Sequence, residues 1–381
     1  MKKLFLSAAA LMCGAMLFAQ FNVSDVDQTG NGNGSTVDQT GIYNYSFVDQ
    51  VGDGNLSDVD QLGDTNNAFT GQMGDANESI IEQDGMFNDA DTYQGYLYGD
   101  IGNYNFSDVY QYGYANTSEV YQVWTANYND SYVDQYGDFN YSIKQQDGDF
   151  NYSNVYQDGY SNYSLVYQGG DDNDSYVMQY VDDNDSYVWQ YGNLNFSYVW
   201  QYGYYNKSFV EQWGDYNGST VYQDGWINDS DVYQWGYDNG SYVDQWGEYN
   251  ESLVEQYGDY NSSTVFQGFY GWENDSFVLQ DGSNNGSFVG QWGDYNYSDV
   301  YQYGDYNYSS VDQYGYLHIS DVDQLGYDND SFVLQDGFEQ ESIVLQDGDY
   351  NWSDTNQYGD NHFSDVYQFG NSNNSYVNQS N

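Results

Sequence analysis

The stretch Asn206-Lys207-Ser208-Phe209-Val210-Glu211-Gln212-Trp213-Gly214-Asp215-Tyr216 decides how this chain is read, because Asn217 begins the same phrase again. The phrase is N-x-S-x-V-x-Q-x-G-x-x, and 32 copies of it run from Asn22 to the C-terminus. Gln holds the seventh place in every copy, from Gln28 to Gln379. Asn opens 29 copies, with His318, Gln340 and His362 in the other three. Ser holds the third place in 30, with Ala68 and Ala90 as substitutes, and Val the fifth and Gly the ninth in 27 each. A short fixed period of this kind marks a stacked repeat architecture.

Places one, three, five and seven are fixed, while two, four and six vary among Asp, Tyr, Phe, Leu, Trp and Gly. Alternation with period two is the strand signal, since successive side chains point to opposite faces. The constant face is the one that must fit a neighbour, so Asn, Ser, Val and Gln are expected inside. The inward ladder then includes Asn195, Ser197, Val199, Gln201, Asn206, Ser208, Val210, Gln212, Asn217 and Gln223. A seven-residue strand leaves x-G-x-x to reverse the chain, with Gly203, Gly214 and Gly225 as turn residues tolerant of positive φ. No proline interrupts a ladder.

Two strands and two turns make a coil of about 22 residues, and coils about 4.8 Å apart place each residue over the one 22 earlier. The expected fold is all-β, a two-sheet parallel β-solenoid of roughly 16 coils, about 70 Å long. Stacked Asn and Gln amides hydrogen-bond along such a column, as in cross-β fibres. This resolves an interior with polar groups in three places of four. On the outer face Tyr191, Trp213, Trp235 and Tyr257 are 22 apart and are expected to form an aromatic column.

Met1–Gln20 is a separate object: Lys2 and Lys3, an apolar run from Leu4 to Phe18, then Ala19. This reads as a secretory signal peptide, residues 1–20, followed by one repeat domain, residues 21–381. Cys13, the only cysteine, lies in the leader, so the repeats hold no disulfide.

The chain has a net charge of −55 and no arginine; after the leader, Lys144 and Lys207 are its only lysines. Binding of nucleic acid through phosphate contacts is excluded on that ground. Like charges are expected to stack, Asp27 with Asp49 and Asp38 with Asp60, each pair repelling by roughly 0.9 kcal/mol in bulk water. Lys144 stands in a Val place, and a local register shift that packs Ile143 instead is expected, ahead of an ammonium that escapes at a strand end.

The period slips between Asn88 and Asn105, Asn116 and Asn129, and Asn261 and Asn274. Tyr96, Trp124 and Phe269 stand there in the glycine place, so each slip reads as a lengthened turn that leaves the strands in register.

Two joined copies read N-x5-Q-x-G-x2-N-x-S-x3-Q, as at Asn195, Gln201, Gly203, Asn206, Ser208 and Gln212. This resembles the repeat of curlin, the subunit of curli amyloid fibres, written S-x5-Q-x-G-x2-N-x-A-x3-Q, with Asn for the opening Ser and Ser for Ala. The resemblance implies a secreted, extracellular subunit that self-assembles into cell-surface fibres of a biofilm matrix and adheres to surfaces. It implies the chain itself as partner, together with a nucleator and a secretion pore.

No catalytic residue and no cofactor is expected: the carboxylates recur with the repeat, and His318 and His362 sit in Asn places two coils apart. The alternative is a solitary acidic β-solenoid that binds Ca²⁺ through turn acids such as Asp215, Asp259, Asp294 and Asp305, or, less favoured, ice. Divalent cations are otherwise expected only to screen the charge.

Overall fold

The structure, a computed structural model, describes residues 21–95 and 102–381. The expected leader Met1–Gln20, with Cys13, and Tyr96 lie outside the described residues. Among the described residues thirty-two strands run from β1 (Val23–Thr29) and β2 (Gly34–Thr40) to β31 (Phe363–Phe369) and β32 (Asn374–Ser380). Odd-numbered strands form one 16-stranded sheet and even-numbered strands the other, every neighbouring pair being parallel. The fold is therefore the two-sheet β-solenoid of about 16 coils that the eleven-residue phrase predicts.

Register follows the 22-residue count. Between β16 (Phe196–Tyr204) and β18 (Gly218–Trp226), Ser197 pairs with Ser219, Val199 with Val221 and Gln201 with Gln223. Asp27 pairs with Asp49 and Asp38 with Asp60, so like charges do stack. The backbone ladder holds them there, and burial followed by repulsion from Asp58 and Asp38 raises the Asp60 carboxyl above its ordinary range.

Parallel pairing runs on through the corners: most strands are paired from place two to place ten, as in β17 (Lys207–Asp215), so the ladder includes the ninth-place glycine and the acid after it. Two left-handed positions make the corner. The ninth-place glycine is one: Gly203 has φ of 120°, and a Cβ there would meet the carbonyl oxygen of Gly225 at 2.0 Å. The other is place eleven, non-glycine in most copies, with Tyr205 at 57° and Tyr216 at 63°.

The two-residue slips behave as bulges at a corner. Pairing of β9 (Thr117–Asn127) with β11 (Tyr141–Asp149) skips between Asp147 and Asp149, and β22 (Ser262–Trp272) carries a similar skip opposite Gln245 and Gly247. The strands stay in register, since Gln111 still donates to Gln135 and Gln267 to Gln291. The longer slip falls partly outside the described residues, yet Gln83 donates to Gln111 across it.

Lys144 corrects the expectation made for it. The register does not shift: Lys144 pairs with Val120 and Val166, and its side chain lies wholly inside. A one-residue slip would turn every side chain of β11 to its other face and expose Ser142 and Gln146, which outweighs one misplaced amine.

Candidate functional site

What recurs along the rod is an interior built from three kinds of column and two corners. The Gln column is the most connected. Gln201 Nε2 donates to Gln223 Oε1 at 2.9 Å and to the Asp185 carbonyl oxygen in the opposite sheet at 2.8 Å. Its own Oε1 accepts from Gln179 Nε2 at 2.9 Å, so the side chain is satisfied above, below and across. Gln212 repeats this in the other sheet, accepting from Gln190 and donating to Gln234 and to Phe196 O.

Asn closes the corners. Asn195 Oδ1 accepts the backbone N–H of Asn217 at 3.0 Å, and Asn195 Nδ2 donates to the Gly214 carbonyl oxygen at 2.8 Å. Asn206 does the same with Asn228 N–H and Gly225 O. Each amide thus clamps its turn to the next coil, both as acceptor and as donor. At the slips Gly102, Ala126 and Gly271 supply the carbonyl, which keeps the clamp while the chain length changes. Gln340 substitutes directly, donating to Gly359 O at 2.7 Å. Buried His318 places Nε2 2.9 Å from Tyr314 O, and burial lowers its pKa. Among the described residues no group of three His, Cys, Asp or Glu is arranged to hold a metal ion.

Val199, Val210 and their equivalents are fully buried and form a spine between the sheets. Ser197 and Ser208 are equally buried, but their hydroxyls find no hydrogen-bond partner. Stacking therefore satisfies the amides and not the serines. The reason is geometric: the third place of one sheet faces the fifth of the other, so a Ser meets a Val. At Thr70 and Thr92 a partner appears, with Thr70 Oγ1 3.4 Å from Ser79 Oγ and Thr92 Oγ1 3.3 Å from Ser107 Oγ, whereas Thr355 finds none. Lys144 interrupts the spine, which divides into one cluster ending at Val133 and another beginning at Val155.

The tenth-place acids have a role that sequence reading missed. Asp215 Oδ1 accepts the backbone N–H of Asn193 at 2.8 Å, and Asp259, Asp294 and Asp305 accept those of Tyr237, Trp272 and Ser283. They tie one corner to the corner above it. The signal was their alternation with Asn, as at Asn193, whose Oδ1 accepts from Asp171 N–H. An amide and a carboxylate share only the acceptor role.

On the outside, Tyr191 stacks on Trp213 with ring centroids 4.2 Å apart, and Trp235 lies 4.7 Å from Tyr257 at a tilt of 57°. Trp213 and Trp235 are register partners. Between the aromatics, half-buried acids are held in like-charged surroundings. Asp91, Asp231, Asp275 and Asp321 are each pushed up to about 6, first by burial and then by neighbouring carboxylates.

A buried amide at every coil, clamped corners and two parallel strand stacks define the class: a stacked-coil β-solenoid. The profile of the Curlin associated repeat matches residues 36–63, 52–85, 102–137, 148–180 and 293–326, so the chain carries repeats of the curlin type. No curated protein matches the chain. Repeat and fold together fit a structural protein of the curli type.

Proposed function

We propose that the chain is a secreted structural subunit that polymerises end to end into extracellular, curli-like amyloid fibres for biofilm matrix and surface adhesion. The observation that carries this reading is the single direction of the Gln ladder. Every link runs from Nε2 to the Oε1 of the next coil, from Gln28→Gln50 to Gln357→Gln379. The end at β1 and β2 therefore offers the amide oxygens of Gln28 and Gln39, and the end at β31 and β32 offers amide hydrogens of Gln368 and Gln379. Stacked head to tail, donors meet acceptors; head to head, acceptors face acceptors. Strands at a sheet edge also offer unpaired backbone groups to another chain, and Val26 of β1 is 41% exposed where its counterparts inside the rod are buried.

A nucleator, a secretion pore and an adhesion target belong to this reading through the family alone. The test is to incubate the purified repeat domain at acid and neutral pH, with and without divalent salt. The reading expects thioflavin-positive fibres whose diffraction shows the strand spacing along the axis, forming faster in acid. A chain that stays monomeric under all these conditions refutes it.

A further inference from the structure

On the outer face of the even-numbered sheet, the column at place eight is aromatic through Tyr180 and Tyr202, then broken by Asp224, then aromatic again at Trp246 in β20 (Gly240–Glu248). The break opens a groove of about 540 Å³. Trp200 and Tyr202 wall it on one side and Trp246 on the other, while Tyr222, Asp224 and Asp244 line it between them. Trp246 is held in place, its Nε1–H donating to Asp244 Oδ1 at 2.5 Å, and the Tyr242 hydroxyl donates to Asp244 Oδ2 at 3.3 Å. Trp200, Tyr202 and Trp246 remain 37%, 52% and 41% exposed.

We propose that this groove binds a quaternary ammonium group, held between aromatic faces over the Asp224 carboxylate. The spacing supports it. Tyr202 and Trp246 are two coils apart, about 9.6 Å at the strand-to-strand rise. A cation at the level of the middle coil lies one strand rise, about 4.8 Å, from the coil that carries each ring, within the ~6 Å range over which a ring face attracts a positive charge. A flat neutral ring is too thin to touch both walls. Charge decides the rest: the groove holds two carboxylates, and the chain carries −55. Burial raises the Asp224 carboxyl, as expected of a partly desolvated acid that a cation would compensate. A second copy of the chain is a poor occupant, because its outer face has the same charge. The proposal is independent of fibre formation, since the groove lies well inside the rod.

The probe is choline, titrated into the purified repeat domain and followed by calorimetry and by magnetisation transfer from the protein to its methyl protons. Saturable binding that weakens with added salt is expected. Asp224→Asn and Trp246→Ala should each weaken it about fivefold. The uncharged analogue of choline, with carbon in place of nitrogen, should bind far more weakly. Circular dichroism establishes that each variant keeps its strands; if Trp246→Ala does not, the near-isosteric Asp224→Asn decides alone. Equal binding of the neutral analogue or of cellobiose overturns the proposal, as does unchanged choline affinity in a folded Asp224→Asn protein.

Discussion

Lys144 Nζ donates to the carbonyl oxygen of Ser153, 3.0 Å away across the interior, and also to that of Tyr132. The two carbonyls belong to β12 (Tyr152–Tyr160) and β10 (Asp130–Asp138), both in the sheet opposite β11. The amine thus bridges neighbouring coils from a place where other copies put valine. Burial lowers its pKa far below the ordinary lysine value, while Asp134 acts in the opposite direction.

Replacing this lysine by the consensus residue should therefore stabilise the rod. Lys144→Val removes an amine whose protonation the interior opposes and rejoins the two halves of the valine spine. The sign with pH is fixed. A folded-state pKa below the unfolded one means that the unfolded chain binds the extra proton, so the penalty grows as pH falls from about 10. The gain in unfolding midpoint should be larger at neutral pH than in strong alkali, and an equal gain at both would contradict a titrating amine.

The acids of the outer face act with the opposite sign. Asp91, Asp231, Asp275 and Asp321 have folded pKa values raised to about 6, against about 3.9 in an unfolded chain. The folded state binds more protons between these values, so their contribution is fully present below about pH 4 and is lost as pH rises through 6. Thermal unfolding followed by circular dichroism should show a midpoint that falls between those limits. Changing all four to Asn should flatten the profile and raise the midpoint at neutral pH.

The glycine place supplies a paired test. Val181 occupies it with φ of 77°, a conformation costly for a β-branched residue. Val181→Gly should stabilise by about 1 kcal/mol. Gly203→Ala should do the reverse, by about 2–4 kcal/mol, because its new methyl would meet a backbone oxygen that cannot move aside. Unfolding midpoints of the two variants should bracket the parent.

Much of this was legible from the repeat because period two and period eleven are both written in residue types that only one environment suits. Gln in every copy can mean only a column, and the glycine place announces a corner. The second left-handed position was hidden, since Tyr205, Tyr216 and Ile227 carry no sign of positive φ. The corner imposes that conformation once Gly and Asn on either side are clamped to the next coil. Lys144 misled for a related reason. Local chemistry argues for moving it, but register is a property of a whole strand. The groove at Asp224 was visible only after the outer residues were aligned by coil rather than by repeat.

The amide column should be less forgiving than the valine spine. Gln201→Leu with Gln223→Leu orphans Gln245 Oε1 above, takes one of three acceptors from Gln179 Nε2 below, and removes the donors to Asp185 O and Lys207 O. Each buried group left without a partner costs about 1–3 kcal/mol, which the added apolar surface does not restore. The double variant should unfold at lower temperature and assemble more slowly; parent-like behaviour in both assays would remove amide stacking as the source of cohesion.

Asp215 separates the structural from the cation-binding account of the corner acids. Its Oδ1 accepts the N–H of Asn193, and Asn193 performs the same service for Asp171 one coil below, so the corner needs an acceptor and not a charge. Asp215→Asn should leave stability within about 0.5 kcal/mol, whereas Asp215→Ala, which strands the Asn193 N–H, should cost about 1 kcal/mol. A calcium ligand behaves otherwise, because the hard cation draws on the carboxylate's charge as well as its oxygen, and Asn would then be nearly as damaging as Ala in calcium. Unfolding midpoints of the three proteins, with calcium and with chelator, distinguish the accounts. Parent and Asn variant superimposing in both media, with Ala below them, is the result that the hydrogen bonds require.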